Sequence, residues 1–228
     1  MDCVTAKIKA MKAKLLTKSD YQALCQCQSV EHFLSQSQKR PSMWEEFRRL
    51  QLFICDAEWK KILSPDGDYM SGDYIKSWSF VKRLPSSQNR EALSYIKGTE
   101  IDLQNILGVY RLKSYYKKAQ VYPHIIPICY RLDKNAIKQM AESSGTSEFI
   151  VAVRHTCYSN LSFDDLEAST FLNLTKTFSK LEKRYPDSIA GVIGYFFAKK
   201  AETKNLTAVM EGLKNQLPPE EILSELRL

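Results

Sequence analysis

Apolar residues along much of the chain recur at intervals of three and four, the spacing that gathers side chains on one face of an α-helix. The first example is residues 4–16, where Val4, Ile8, Met11 and Leu15 share one stripe and lysines occupy much of the remaining surface. We therefore predict an amphipathic helix in this stretch.

Helix caps and turn residues divide much of the remaining sequence into further helices. A capping box formed by Ser42 and Glu45 predicts a helix that ends near Leu63. The stretch from Glu148 to Val153 is compatible with either a helix or a brief strand. The other short and medium helices are predicted after the caps at Thr17–Asp20 and Ser29, over Tyr69–Leu84 and residues 134–142, from the cap at Ser162 and Asp165 to Arg184, and after Pro218.

Two stretches predict much longer helices. Glu91–Lys118 contains no proline, and a helix over these residues is interrupted at most by a bend near Gly98. The second long helix is predicted to begin at Pro186, and its apolar residues continue over Ile189–Leu213. These are the longest helices that the sequence predicts.

The composition agrees with this pattern. The 228 residues include only 8 glycines and 8 prolines, and 44% of them are hydrophobic. Such a balance favours long helices over turn-rich sheets. We predict an all-α fold class, in which residues 1–228 form a single helical body.

The two long helices carry similar sequences 100 residues apart (205 − 105 = 100). The stretch YIKGTEIDLQNILGV, residues 95–109, matches YFFAKKAETKNLTAV, residues 195–209. In each, an acidic residue is followed three positions later by asparagine and then by apolar residues. The matched positions are Tyr95 with Tyr195, Asp102 with Glu202, Asn105 with Asn205, Ile106 with Leu206 and Val109 with Val209.

A weaker third copy lies in the first helix, where Lys7, Ile8 and Met11 take the places of the asparagine and two apolar residues, and the acid is missing. The segments SVEHFL, residues 29–34, and TSEFIV, residues 146–151, are also similar. Three long helices that each lead into shorter ones predict a body of three pseudo-repeats. The repeats are placed at residues 1–90, 91–185 and 186–228.

Three segments together resemble a known family. They are AKIKAMKAKLLTKSDYQALCQCQSVEHFL (residues 6–34), EIDLQNILGVYRLKSYYK (100–117) and DSIAGVIGYFFAKKAETKNLTAVMEGLKNQLPPEEI (187–222). They are similar to the rotor subunit of V-type and A-type ATPases, which is called C in bacteria and archaea and d in eukaryotes. The resemblance covers the two ends and the centre of the chain.

The resemblance implies an all-helical cup or funnel of three pseudo-repeats, seated on the ring of membrane proteolipid subunits and receiving the central shaft in its mouth. Such a subunit is not an enzyme and holds no cofactor; it transmits torque between nucleotide hydrolysis in the soluble head and proton or sodium movement at the ring. It lies in the cytoplasm, peripheral to the membrane, and contacts the membrane through the ring. This chain is a short member of the family, and because both ends match, we expect an internal loss.

The repeat suggests a role for its polar residues. We interpret Asp102 and Glu202, together with Asn105 and Asn205, as side chains that bridge neighbouring helices where the helices converge. Under this hypothesis they are structural residues, and the sequence assigns no catalytic, cofactor-binding or metal-binding residue.

Charge leaves a second class of function open. The formal net charge of +7 arises from 33 basic and 26 acidic residues, and the densest basic stretch is the first helix. The basic side of that helix is a solvated surface, a partner-facing surface or a surface that lies on anionic lipid. The alternative function is therefore a soluble helical adaptor that binds nucleic acid or another acidic partner. The family resemblance implies no nucleic-acid partner.

The cysteines and one histidine are candidate metal ligands. Six cysteines are scattered without the spacing of a disulfide framework, which favours reduced thiols. Cys25, Cys27 and His32 lie within eight residues. Two cysteines two positions apart on a helix point to different faces, and a tetrahedral site needs four ligands. We therefore predict no metal site.

The other candidate groups have simpler structural explanations. His124 and His155 have no neighbouring HExxH motif or nucleophile elbow. The pair Asp164–Asp165 is better explained by helix capping. Gly191 and Gly194 lie three apart in an apolar helix, where they let another helix approach. The sequence has no GxxxxGK[ST] loop for phosphate.

Overall fold

The computed structural model describes residues 2–37, 45, 48, 74–85, 87–116, 121–186 and 188–228. All regular elements in these ranges are helical, so the predicted all-α fold class is confirmed. A 3₁₀ turn, Tyr122–His124, lies between the fifth and sixth helices. The helices in chain order are α1 (Asp2–Lys12), α2 (Lys18–Cys25), α3 (Val30–Ser37), α4 (Tyr74–Arg83), α5 (Gln88–Tyr115), α6 (Lys134–Glu142), α7 (Thr146–Arg154), α8 (Leu166–Arg184), α9 (Ala190–Lys214) and α10 (Pro219–Ser224).

Side-chain caps fix the starts of several helices. The Thr17 hydroxyl accepts a hydrogen bond from the Asp20 amide, while the Asp20 carboxylate accepts one from the Thr17 amide at 2.7 Å. Asp133 caps α6 and Asp165 caps α8, each by accepting a hydrogen bond from the amide three residues later, at 2.7 and 2.9 Å. The predicted cap at Thr17–Asp20 is confirmed. Of the predicted pair Ser162 and Asp165, Asp165 is the capping residue, and the Ser162 hydroxyl bonds to Asp164 instead.

The two long helices begin at other residues than the sequence predicted. α5 begins before Glu91, because the Ser87 hydroxyl caps it by accepting a backbone hydrogen bond at 3.3 Å. α9 begins after Pro186, at Ala190, whose amide donates to the Ser188 hydroxyl at 3.2 Å. A serine cap therefore sets the start of α5, and a serine hydroxyl accepts from the first amide of α9.

The ambiguous stretch Glu148–Val153 belongs to helix α7. Phe149 and Val153 are fully buried, and their spacing of four residues places them on one face of the helix. Part of the helix predicted over Tyr69–Leu84 is present as α4. The helix predicted from Ser42 to Leu63 lies outside the described residues, apart from two positions that are helical, 45 and 48.

Contacts divide the chain into two compact units. Unit 1 comprises residues 1–65 and 191–228, and unit 2 comprises residues 66–190. The single helical body and the three repeats at 1–90, 91–185 and 186–228 stay predictions.

Unit 2 is built around α5. Helices α4, α6, α7 and α8 all pack against α5. The ring centre of Tyr110 on α5 lies 6.0 Å from that of Phe149 on α7 and 5.8 Å from that of Phe163, which precedes α8. Aromatic contacts of this kind stabilise packing beyond the area they bury. α5 is therefore the core helix of unit 2.

Unit 1 brings together helices from distant parts of the sequence. Helix α10 packs against α2. The core of the unit combines side chains from and beside α2 and α3 with side chains from and beside α9 and α10. Its buried members are Tyr21, Leu24, Cys25, Cys27, Phe33, Val209, Ile222 and Leu226. Burial of such side chains is the main source of stability for the unit.

One glycine of α5 lies against an aromatic ring. A Cβ added at Gly98 would lie 2.2 Å from Cγ of Tyr130, whereas one added at Gly108 would meet no atom within 4 Å. We expect Gly98→Ala to lower the free energy of unfolding by about 1–3 kcal/mol through overpacking. Gly108→Ala, the matched control, should raise it by about 0.5–1 kcal/mol through helix propensity. Urea denaturation measures both, and equal effects would contradict the close packing at Gly98.

Candidate functional site

The six residues of the predicted repeat motif lie on the two long helices. α5 carries Tyr95, Asp102 and Asn105, and α9 carries Tyr195, Glu202 and Asn205. The acids and asparagines are all buried, with Asp102 fully inaccessible. Buried polar groups destabilise a protein unless they are hydrogen-bonded, so the partners of these residues decide their role.

The two asparagines make the same pair of hydrogen bonds. Asn105 Nδ2 donates to Ile126 O at 3.1 Å, and its Oδ1 accepts from Ile126 N at 2.8 Å. Asn205 Nδ2 donates to Arg227 O at 2.9 Å, and its Oδ1 accepts from Arg227 N at 3.0 Å. Each amide thus satisfies both main-chain groups of one residue, 21 or 22 positions further along. Each asparagine fixes a non-helical segment against its long helix.

The carboxylate of Asp102 holds the start of α6 against α5. Its Oδ2 accepts hydrogen bonds from Arg131 N at 2.9 Å, Leu132 N at 3.2 Å and the Tyr158 hydroxyl at 2.9 Å. Its Oδ1 is buried and has no hydrogen-bond partner among the described residues. The two main-chain donors immediately precede Asp133, the residue that caps α6.

The carboxylate of Glu202 makes a related contact in unit 1. Its Oε1 accepts a hydrogen bond from Leu16 N at 2.8 Å, and its Oε2 pairs with the buried ammonium group of Lys199, one turn earlier in α9. Leu16 immediately precedes Thr17, which caps α2. Glu202 therefore holds the start of α2 against α9.

The sequence suggested that these four side chains bridge neighbouring helices. Their hydrogen-bond partners show a different arrangement. The acids do join two helices, but through main-chain amides at the start of the second helix. The asparagines join a helix to a non-helical segment. The partner groups are therefore mainly main-chain atoms, whose positions do not depend on side-chain identity.

The two tyrosines of the motif have different surroundings. Tyr95 is half-buried, its hydroxyl accepts a hydrogen bond from Arg131 Nη1 at 3.3 Å, and its ring meets the Tyr130 ring edge-on at 6.1 Å. Tyr195 is fully buried, its ring lies 5.7 Å from that of Phe196, and its hydroxyl has no hydrogen-bond partner in the described structure. The tyrosine positions therefore do not share a contact in the way the asparagines do.

Burial governs the electrostatics around Asp102. Burial raises the pKa of its carboxyl above the ordinary value, while the hydrogen bonds from Arg131, Tyr158 and Leu132 oppose the shift. Burial and the nearby carboxylate also raise the pKa of the Tyr158 hydroxyl, which keeps that group protonated as a donor. The Arg131 guanidinium lies 5.6 Å from the centre of the Tyr158 ring and 5.9 Å from that of Tyr95.

The raised pKa of Asp102 predicts a pH dependence. The folded chain holds the proton of Asp102 to higher pH than the unfolded chain does, so this group favours folding below about pH 4 and loses that contribution as pH rises through its folded pKa. We expect the stability of the natural chain, relative to Asp102→Asn, to fall between acid and neutral pH. Urea denaturation of both chains at several pH values measures the difference. A difference that grows with pH would contradict the sign of the shift.

Sequence reasoning missed the lysine partners of two glutamates. Lys97, fully buried on α5, pairs with Glu100 at 2.9 Å, and its Nζ lies 4.7 Å from the centre of the Tyr74 ring. Lys199 pairs with Glu202 on α9. A Lys-x-x-Glu spacing in both long helices was the available signal, but the two pairs are 102 positions apart (199 − 97 = 102) rather than 100. The shifted spacing hid the similarity.

The candidate metal ligands occupy ordinary surroundings. Cys25 and Cys27 are buried, and burial raises the pKa of both thiols. His32 forms a hydrogen bond with Gln36 at 3.0 Å, and His124 and His155 are exposed. Within the described ranges, no three His, Cys, Asp or Glu side chains come together as metal ligands.

None of the helices in the described part of the chain has both the length and the apolar content that crossing a membrane requires.

Comparison with known proteins assigns the family. The chain is an all-α member of the ATP synthase (C/AC39) subunit family, whose model matches residues 73–225, more than half of the sequence. The matched range includes both long helices and all six motif residues. The family resemblance seen in the sequence is confirmed.

Two curated archaeal relatives share one name, each being the C subunit of an A-type ATP synthase. The protein from Methanobrevibacter smithii is 25% identical over 149 residues, covering 60% of this chain and 39% of that protein. The protein from Methanothermobacter thermautotrophicus is 23% identical over 155 residues, covering 62% of this chain and 40% of that protein. The chain therefore spans about two fifths of the length of the curated relatives it matches.

Proposed function

We propose that the chain is a non-catalytic subunit of the central rotor of a V/A-type ion-translocating ATPase, coupling the central shaft to the membrane proteolipid ring. It lies on the cytoplasmic side, peripheral to the membrane, as a cup or funnel. The observation that carries this proposal is the family match over residues 73–225. The shared name of the two archaeal relatives supports it.

The internal contacts suit a subunit that transmits torque. A coupling element must resist deformation, and α5 is tied by hydrogen bonds of buried side chains both to the segment at Ile126 and to the start of α6. Such hydrogen bonds hold main-chain segments in place against the helix. The contacts at Asn105 and Asn205 also support the proposed repeat.

The test is co-expression of the tagged chain with the ring and shaft subunits from the same organism. We expect both partners to co-purify with the chain and to stay bound when salt is raised. Raised salt is the control, because it screens non-specific attraction between a chain of charge +7 and acidic proteins. Recovery of the chain without either partner would reject the proposal.

A further inference from the structure

Helices α2 and α3 of unit 1, called here the α2–α3 hairpin, have the same spacing along the chain as α6 and α7 of unit 2, called the α6–α7 hairpin. Helices α2 and α6 begin 116 residues apart (134 − 18 = 116), and so do α3 and α7 (146 − 30 = 116). The caps at Thr17 and Asp133 have the same spacing (133 − 17 = 116). The two hairpins therefore match without an insertion or deletion.

The buried side chains of the hairpins follow the same spacing. Leucine, cysteine and phenylalanine in the first hairpin are matched by methionine, alanine and phenylalanine in the second, and all six are buried. The pairs are Leu24 with Met140, Cys25 with Ala141 and Phe33 with Phe149. The hairpins thus present equivalent faces to the cores of their units.

Each hairpin is held by its unit's long helix at the same position. The amide of Leu132, just before α6, donates to Asp102 at 3.2 Å, and the amide of Leu16, just before α2, donates to Glu202 at 2.8 Å. In unit 2 the hairpin follows its long helix along the chain, whereas in unit 1 it precedes its long helix by most of the sequence. The same contact thus joins hairpin and long helix in both units, although the hairpin of unit 1 lies at the other end of the chain.

This order has a topological consequence. The chain leaves unit 1 at residue 65, passes through unit 2 and returns to unit 1 at residue 191. Non-covalent contacts between the α2–α3 hairpin and α9–α10 therefore close the chain into a loop. In unit 2 the corresponding contacts join segments that are already neighbours in sequence, so they close no such loop.

We propose that the α2–α3 hairpin is a detachable clasp, which docks on α9 and α10 to close the loop and releases to open it while unit 2 stays folded. Segments held by fewer contacts than the whole fold can open below the free energy of global unfolding. This proposal does not rest on the proposed function.

The chain carries its own reporters of clasp opening. Cys25 and Cys27 lie in the core between the clasp and α9–α10, with 2% and 6% of their surfaces exposed, whereas Cys129 is exposed. A buried thiol reacts with an alkylating agent only when its surroundings open. Alkylation at Cys25 and Cys27, relative to Cys129, therefore measures opening of the clasp.

The experiment uses the full chain under native conditions, with N-ethylmaleimide labelling followed by peptide mass spectrometry and with hydrogen exchange of the α5 amides. Phe33→Ala weakens the clasp, and Phe149→Ala is the matched change in the other hairpin. We expect Phe33→Ala to raise labelling at Cys25 and Cys27 tenfold or more and to leave α5 protection unchanged. Phe149→Ala should lower α5 protection and leave the labelling ratio within about twofold, since the sites are separate.

If Phe33→Ala reduces the protection of the two thiols and of the α5 amides to the same extent, the proposal is overturned, because the hairpin and unit 2 then unfold as one cooperative unit. Labelling that stays at the rate of global unfolding would overturn it as well. If Phe33→Ala does not fold, Phe33→Leu supplies the same comparison with a smaller change in volume. The measurement needs no partner subunit, so its failure is distinguishable from failure of the co-purification test.

Discussion

Asp102→Ala should lower the free energy of unfolding by about 3–5 kcal/mol, because it leaves several donors without an acceptor and each buried unsatisfied donor costs about 1–3 kcal/mol. Those donors are the amides of Arg131 and Leu132 and the hydroxyl of Tyr158, all bonded to one carboxylate oxygen. The start of α6 also loses its attachment to α5. Equilibrium urea denaturation measures the loss.

Asp133→Ala is the matched control for this prediction. Asp133 is an exposed acid beside Leu132, and its removal deletes only the cap of α6, at a cost of about 1 kcal/mol. Tyr158→Phe in the Asp102→Ala background removes one of the stranded donors, so the two changes together should cost less than their sum. The hydrogen-bond network at Asp102 would be contradicted if Asp102→Ala lowered the free energy of unfolding no more than Asp133→Ala does. It would also be contradicted if the effects of Asp102→Ala and Tyr158→Phe were strictly additive.

Asn105→Leu and Asn205→Leu should each lower the free energy of unfolding by about 2–4 kcal/mol, since each strands a main-chain N–H and C=O together. The near-identical distances at the two sites predict losses of similar size. Leucine is larger than asparagine, so the loss includes overpacking of a buried site as well as the two stranded main-chain groups. Thermal and urea denaturation of the two variants measure the losses.

Asn135→Leu supplies the control for the asparagine pair. Asn135 is exposed on α6, and substitutions on an exposed surface change stability by about 0.5 kcal/mol or less. If one of the two substitutions left the free energy of unfolding unchanged while the other lowered it strongly, the contacts of Asn105 and Asn205 would not have equivalent roles. That result would also weaken the proposed repeat.

Local signals in the sequence predict the helices well. Thr17 with Asp20, and Asp165, are recognisable as caps because capping depends on residues within one turn of each other. The long helices α5 and α9 are predictable because helical residues continue without a breaking proline. The predicted start of α5 is misplaced because Ser87 caps the helix before Glu91 is reached. The predicted start of α9 is misplaced because the helix begins at Ala190, after Pro186.

The partners of the motif residues could not be predicted from the sequence. Asp102 and Asn105 stand out by an offset of 100 residues, but their partners are main-chain groups at Ile126, Arg131 and Leu132. Main-chain groups carry no sequence signature, and non-helical segments have no period from which to infer a contact. Only the three-dimensional path of the chain brings them to α5.

The correspondence between the hairpins is only partly visible in the sequence. Residues 29–34 and 146–151 are similar at a spacing of 117 (146 − 29 = 117), which is one more than the 116 that relates the hairpins and differs from the 100 that relates the long helices. A search at one offset finds the copy of the helix or the copy of the hairpin, but not both. The contacts of Leu16 and Leu132 with the two acids connect them.

Ion movement by the reconstituted ATPase tests the proposed coupling most directly. The complex is assembled in lipid vesicles with and without this chain, and ATP hydrolysis and ion uptake are measured together. We predict that omission of the chain leaves hydrolysis without ion uptake and that adding the chain back restores uptake. The same ratio of ions moved to ATP hydrolysed with and without the chain would contradict its role in coupling.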